Sequence, residues 1–422
     1  MNEPSTVSGI HAEGVLGEFS YDVAFGKGDA GRMRLIYAPN GRGKTNFLRA
    51  VHFALTPTLE SMQALVDVPI QLVKVEFDSG ASICISRKDA FDGTFIATAT
   101  EASGAEISVG VDPADFAGRL YRRAWDERSD YTRYAHTVAS FTHGSALIGD
   151  DRLAPSLEEL RESMRADQTY AAARRKAVGS VTRLLERVER MLTQSALAGL
   201  SRESAATGVY AGITRTTLQG TQNLTTAAAR RSLEKQISGL LRTGAGHEKY
   251  GLLSLRQVRD IRSQLIQARA NDRNLPTLHR ILTPFLESLE DQVETLKPAQ
   301  ELIDTFVTAT NRFLDRKALR FSAATGIELF GRDHSQLQPE SLSSGERHLL
   351  FLLSHAVLAT VEQPLVIIDE PELSLGLEWQ RDLLDELLRC SGSAQVQFLI
   401  ASHSVQVMGG LAADEIIKPT EE

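Results

Sequence analysis

The sequence predicts an α/β protein with a helical segment set into its middle. Residues 1 to about 150 show strand-like alternation around one helix. A Leu-, Ala-, Arg- and Glu-rich stretch with three-and-four spacing follows. From about residue 318, buried strand patterns alternate again with helical ones. The expected domains are therefore 1–150, 151–317 and 318–422.

In the first domain, Phe19, Tyr21, Val23 and Phe25 alternate as in a half-buried strand. Met33 to Tyr37 reads as a short strand and Thr45 to Leu55 as the helix after it. Val73 to Phe77, the turn Asp78-Ser79-Gly80, and Ile83 to Ile85 form a strand-turn-strand. Thr94 to Thr98 and Ile107 to Val111 extend it as an antiparallel meander.

In the middle domain, Val178, Val181, Leu185, Val188 and Leu192 make one apolar seam, and Leu282, Leu286, Leu289, Val293 and Leu296 a second. Pro298 is expected to end the second seam, with a new helix from Gln300 to Leu314. The Gly-, Ser- and Thr-rich residues 199–225 read as a loop or tip. The whole predicts a coiled-coil-like hairpin arm, for which a helix of about 45 residues would reach about 70 Å. In the last domain, Leu319 to Phe321, Ile327 to Phe330, Leu365 to Asp369 and Val396 to Ala401 read as strands. Ser344 to Thr360 and Leu377 to Leu388 read as helices.

Composition narrows the setting. Hydrophobic content of 42% and charged content of 24% are ordinary for a globular chain. Lys plus Arg (46) against Asp plus Glu (54) gives a net charge of −8, so any DNA contact needs a local basic patch. Cys84 and Cys390 have no partner at metal-ligand spacing, which predicts a reduced, cytoplasmic setting. The polar N-terminus lacks a signal-peptide core, and no apolar run has the length of a membrane span.

Two distant stretches carry chemistry. Ala38-Pro39-Asn40-Gly41-Arg42-Gly43-Lys44-Thr45 follows a strand and opens a helix, as a phosphate-binding loop does. Small residues such as Gly41 and Gly43, with Asn40, let backbone N–H groups curl around an anion at the helix N-terminus. Lys44 is expected to reach the β- and γ-phosphates of ATP, and Thr45 to bind Mg²⁺ through its hydroxyl. Ala38 stands where the usual pattern has Gly, which is tolerable if its φ is negative. Far downstream, Asp369 and Glu370 end a four-residue apolar run. Asp369 is expected to hold Mg²⁺ through water, and Glu370 to polarise an attacking water as general base. Between these lies Leu342-Ser343-Ser344-Gly345-Glu346, whose Ser and Gly suit the anion-favouring start of a helix.

In this order the motifs resemble the head of RecF/SMC/OLD-like ABC ATPases, over both end segments of the chain. The resemblance implies a two-lobed ABC-type head interrupted by the arm. It implies that Ser343, Ser344 and Gly345 cap the γ-phosphate bound to a second copy, so that ATP is sandwiched in a homodimer. It makes His403, just past the last buried strand, the switch histidine, and Ser374 to Leu377 the D-loop. Gly376 stands where relatives often carry His, and no glutamine loop is assigned, since Gln168 has no motif around it.

The stretch Asp369 to Leu375, with Trp379 and Gln380, resembles AAA-family ATPases of bacterial defence loci. The chain stops soon after His403, leaving no room for the Toprim nuclease appended in single-chain OLD proteins. That points to the ATPase subunit of a two-component anti-phage system of the PARIS or Septu type, holding a separate nuclease or toxin. Two alternatives stay open: a RecF-like DNA-repair ATPase acting on DNA directly, and an ATP-binding scaffold with little turnover. Lys176, Arg183, Arg187 and Arg190 form a basic stripe, and Arg119, Arg122 and Arg123 with Tyr121 a second cluster. Assemblies above the dimer are also open.

Overall fold

The computed structural model describes residues 5–26, 31–116, 129–149, 170–201, 224–267, 273–361, 365–392 and 395–421. Its class is α/β, as the alternation of patterns predicts. Contacts divide the chain into two compact units, Met1–Thr182 with Pro339–Glu422, and Arg183–Gln338.

The first unit holds two sheets. Strands β1 (Val7–Val15), β2 (Phe19–Ala24), β4 (Leu72–Phe77), β5 (Ser82–Ser86), β6 (Phe95–Thr100) and β7 (Glu106–Val111), with the short β15 (Thr420–Glu421), make a seven-stranded antiparallel sheet in the order β15-β2-β1-β4-β5-β6-β7. The second sheet is parallel, in the order β14-β3-β13-β12-β8. It combines β3 (Met33–Tyr37), β8 (Ser145–Ile148), β12 (Leu365–Asp369), β13 (Gln397–Ser402) and β14 (Ile416–Ile417). Strands from both ends of the chain therefore pair directly, Leu35 facing Ile400 and Ile148 facing Ile368.

Helix α1 (Lys44–Leu55) ties the sheets together. Its Phe47, Leu48, Val51 and Leu55 share one core with Tyr21, Val73, Ile83 and Phe95 of the antiparallel sheet and Leu365, Ile367 and Leu399 of the parallel one. The Tyr21 and Phe47 rings stack at 4.6 Å. β12 and β13 are buried along their whole length, as expected of central parallel strands. Parallel strands direct their C-terminal ends, and the turns after them, to one edge, where open α/β sheets bind ligands.

The second unit is mostly helical. It contains part of α4 (Tyr170–Ser201), then α5 (Thr226–Thr243), α6 (Ala245–Lys249), α7 (Arg256–Gln267) and α8 (Leu275–Phe313). Leu233, Ile237 and Leu240 of α5, Val258 and Leu265 of α7, and Leu286 and Val293 of α8 form one cluster. The second seam thus packs against α5, against which α7 packs in turn, giving a helical bundle. The first seam is buried at Val181, Leu185, Val188 and Leu192. Val178 lies outside the residues with described side chains, as do Lys176, Gln168, the 119–123 cluster and most of 199–225.

One expectation is corrected here. Pro298 does not end a helix: α8 runs through Pro284 and Pro298 to Phe313. Leu296, Ala299, Ile303 and Phe306 are buried on either side of Pro298, and that packing outweighs the lost hydrogen bond. Strands β9 (Lys317–Ser322) and β10 (Gly326–Gly331), where two strands were expected at the start of the last domain, and the short β11 (Gln336–Leu337) group by contacts with the helical unit. Asn311, in the last turns of α8, explains this locally. Its amide donates to the Leu319 carbonyl at 2.9 Å and accepts from the Leu319 N–H at 2.7 Å. Glu189 of α4 likewise accepts the Ile327 N–H at 2.9 Å.

Candidate nucleotide site

The glycine-rich loop leaves β3 at Tyr37 and enters α1 at Lys44. Gly41 and Gly43 have φ of 85° and 78°, the left-handed region that glycine enters without penalty. Gly43 is also required by space, because a Cβ there would lie 2.5 Å from Val15 Cγ1. Ala38 is absent from the positive-φ positions, so Ala serves where Gly is usual. Gly43 caps α1 without a side chain, which leaves first-turn N–H groups directed out of the helix start. Lys44 is buried, and its ammonium donates to the Ala38 and Pro39 carbonyls at 2.7 and 3.2 Å. It is held over the loop it would serve.

The second half of the site arrives at the end of β12. Asp369 is 3% exposed, and Thr45 Oγ1 donates to its Oδ2 at 2.5 Å. The glycine loop and the acidic strand end are therefore one site, although 324 residues separate the two partners in sequence. Two hard oxygen donors meeting at the mouth of a phosphate-binding loop suit Mg²⁺, which takes oxygen ligands from few side chains and completes its shell with water and phosphate.

Glu370 adopts φ 50°, a left-handed conformation uncommon outside glycine. Its N–H donates to the Ala401 carbonyl of β13 at 2.8 Å, which holds the turn. His403 follows β13, and its Nδ1 lies 3.3 Å from Glu370 Oε1 and 3.1 Å from Glu372 Oε1. Glu372 was quoted in the sequence only as part of a longer stretch. In the structure it is buried and also accepts from Ser402 Oγ at 2.7 Å and from the His403 N–H at 3.0 Å. Its spacing, two residues past Glu370, is the one signal that could have marked it.

Ser343 caps helix α9 (Ser344–Ala359) in a reciprocal box with Glu346. The Ser343 N–H donates to Glu346 Oε2 at 2.6 Å, and the Glu346 N–H to Ser343 Oγ at 3.2 Å. Glu346 thus has a defined use at the helix start. A Cβ on Gly345 would lie 2.6 Å from the Ser374 carbonyl and 3.2 Å from the Trp379 ring. His348 Nε2 is 3.1 Å from the Pro371 carbonyl. The start of α9 is seated against 371–379, the turn that follows Asp369 and Glu370, and Gly376 caps α10 (Leu377–Cys390). Gln380 continues the chain of contacts, donating to the Leu375 carbonyl at 2.9 Å and accepting from Ser404 Oγ at 2.7 Å.

A pocket of about 490 Å³ lies beside the loop, lined by Tyr37, Ala38, Pro39, Arg42, Lys418, Pro419 and Glu421. Arg42 pairs with Glu421 and covers the Phe19 ring at 5.0 Å, while Tyr21 OH donates to its carbonyl at 2.5 Å. No motif marked residues 418–421. They reach the loop because β14 pairs with β3 and β15 with β2.

Residues 222–409 match the family described as "AAA domain, putative AbiEii toxin, Type IV TA system". That span holds Ser343 to Gly345, Asp369, Glu370 and His403, is less than half of the chain, and omits the glycine loop. No curated protein matches. Among solved structures, the Smc head domain with an extended coiled coil bound to the C-terminal domain of ScpA, from Pyrococcus furiosus, is 14% identical, with 99% of this chain and 96% of that one covered and a TM-score of 0.38. The SMC head domain from Thermotoga maritima is 11% identical, with 99% and 98% covered and a TM-score of 0.36.

Proposed function

We propose that this chain hydrolyses ATP in a site made from the glycine loop and the ends of β12 and β13. The observation that carries the reading is the hydrogen bond of 2.5 Å from Thr45 to Asp369, with Glu370 and His403 linked beside it. Asn40, Gly41 and Gly43 shape the loop whose N–H groups receive the phosphates, and Lys44 neutralises the β- and γ-oxygens. Thr45 and Asp369 would hold Mg²⁺, which supplies positive charge to the phosphate oxygens. Glu370 accepts a proton from the water that attacks the γ-phosphorus. The bond to the β-phosphate oxygen breaks, and ADP and phosphate leave. His403, beside Glu370, would contact the γ-phosphate.

Ser343, Ser344 and Gly345 cap the nucleotide held by a second copy, so the working unit is a nucleotide-sandwich homodimer. The match of 222–409 to a family described with a toxin and a type IV toxin–antitoxin system supports the wider reading. In that reading, ATP-dependent dimerisation controls a separate nuclease or toxin in antiviral defence, in the cytoplasm. Among the described residues no helix is long and apolar enough to cross a membrane.

One observation favours the alternative of direct action on DNA: Arg183, Arg187 and Arg190 are all exposed on α4. The deciding experiment measures phosphate release by the unaltered chain and by Glu370→Gln, then the proteins and nucleic acid that co-purify with each. ATP-dependent capture of a nuclease or toxin supports the effector reading. Salt-sensitive DNA binding by the chain alone supports the alternative. No turnover by the unaltered chain removes hydrolysis and leaves a nucleotide-binding scaffold.

A further inference from the structure

The proposed reaction uses the triphosphate end of a nucleotide and leaves the sugar and base unplaced. The order of the parallel sheet, β14-β3-β13-β12-β8, gives them a direction. The glycine loop follows β3. Glu370 follows β12 and His403 follows β13, and both of those strands lie on one side of β3. β14 lies on the other side. A nucleotide whose phosphates cross the loop with the γ-phosphate at Glu370 therefore has its sugar and base on the side of β14.

The pocket of about 490 Å³ is on that side. Lys418 and Pro419 directly follow β14, and Ala38, Pro39 and Arg42 of the loop line the same space. Its volume falls within the roughly 300–1,000 Å³ of small-molecule sites. Three elements hold its polar wall. Glu421 lies opposite Phe19 in the pairing of β15 with β2. The Arg42 guanidinium covers the Phe19 ring at 5.0 Å and donates to Glu421 Oε1. The Arg42 carbonyl accepts from Tyr21 OH at 2.5 Å, and the Tyr21 ring stacks on Phe47 of α1 at 4.6 Å. Arg42 and Glu421 are thus held together between the loop, β2 and β15.

The chemistry of this wall selects a partner. Arg42 engages Oε1 of Glu421, and Oε2 makes no hydrogen bond among the described residues. An ionised carboxylate can only accept. The 2′- and 3′-hydroxyls of a ribose are two adjacent donors, and acidic side chains serve ribose hydroxyls in dinucleotide-binding sheets for this reason. The base itself carries no pair of hydroxyls, so the sugar is the part of the nucleotide that answers Oε2.

We infer, on the nucleotide reading above, that this pocket receives the ribose and base, and that Glu421, held by Arg42, is a specificity-determining residue that accepts from the ribose hydroxyls. Residues 418–421, which carry no motif, would then take part in choosing a ribonucleotide over its deoxy counterpart.

The test is calorimetric titration of the full chain with three probes: ADP, 2′,3′-dideoxy-ADP and inorganic pyrophosphate. None of them has a γ-phosphate to be split, so turnover does not interfere. The unaltered chain is expected to bind ADP about tenfold more tightly than the dideoxy form, the scale of one hydrogen bond to a charged group. Glu421→Ala should weaken ADP about tenfold, leave the dideoxy form and pyrophosphate as they were, and so erase the difference. Equal affinities in the unaltered chain, or a difference that persists in Glu421→Ala, would overturn the inference and leave the ATPase reading standing. Weaker pyrophosphate binding in the variant would place the effect in the glycine loop or in the folding of the chain, and would overturn it too. An unaltered chain that binds neither ADP nor ATP would remove the nucleotide reading and this inference with it.

Discussion

Glu370 stands in a left-handed turn fixed by its N–H to Ala401, with its carboxylate beside His403. A side chain held there at a conformational cost of about 1–2 kcal/mol is one whose direction matters more than its comfort. Glu370→Gln is expected to keep nucleotide affinity and to lower phosphate release by about 100-fold or more, measured side by side on purified protein. Gly345 supports a second expectation at this scale. A methyl group there meets the Ser374 carbonyl at 2.6 Å, which is backbone and cannot swing away. Gly345→Ala should cost about 1–3 kcal/mol in chemical denaturation and disturb the turn after Asp369. Most of this site was legible from residue order: a glycine loop between strand and helix, an acidic pair at the end of an apolar run, and a Ser-Gly helix start. Glu372 and residues 418–421 were not, because burial of a carboxylate and a strand pairing at the chain's far end leave no local pattern.

Among the elements, α1 is the hinge between sequence and site, since its first residue is Lys44 and its last turn carries His52. Burial pushes the His52 imidazole down from 6.5 to about 4, with Ser145 Oγ of β8 at 2.9 Å from its Nδ1. A depressed value in the folded chain means that the unfolded chain takes up the proton first. The stability contributed by neutral His52 is therefore complete above pH 6.5 and is lost progressively as the pH falls towards 4. It amounts to up to about 3 kcal/mol. Denaturation midpoints of the unaltered chain should fall between pH 7 and pH 5, and the fall should shrink in His52→Gln. α8 offers a test of opposite sign. Pro298 is exposed within a continuous helix, so Pro298→Ala restores a backbone donor and removes little packing. It should raise stability by about 1–3 kcal/mol, read as a higher melting temperature. Proline is a strong local stop signal, and the apolar spacing on both sides of it had to be weighed against it. The helical period was readable in these segments; their partners were not, because α8 chooses α5, and α5 chooses α7, by packing, which a single strand of letters does not encode.

For the whole molecule, the proposed sandwich predicts a change of mass. ATP added to Glu370→Gln, which would bind without turning over, should double the mass seen by light scattering, and Ser343→Arg should leave it single under the same conditions. The pairing of β3 with both β13 and β14 gathers the early and late parts of the chain into one sheet. This has a consequence for how the protein is made. The glycine loop leaves the ribosome early, but its acidic counterpart is 324 positions later. At ordinary elongation speeds the interval is roughly 16–65 s. Throughout that time the two halves of the candidate site cannot meet, so under the proposed function a copy abandoned during synthesis would bind and split no nucleotide.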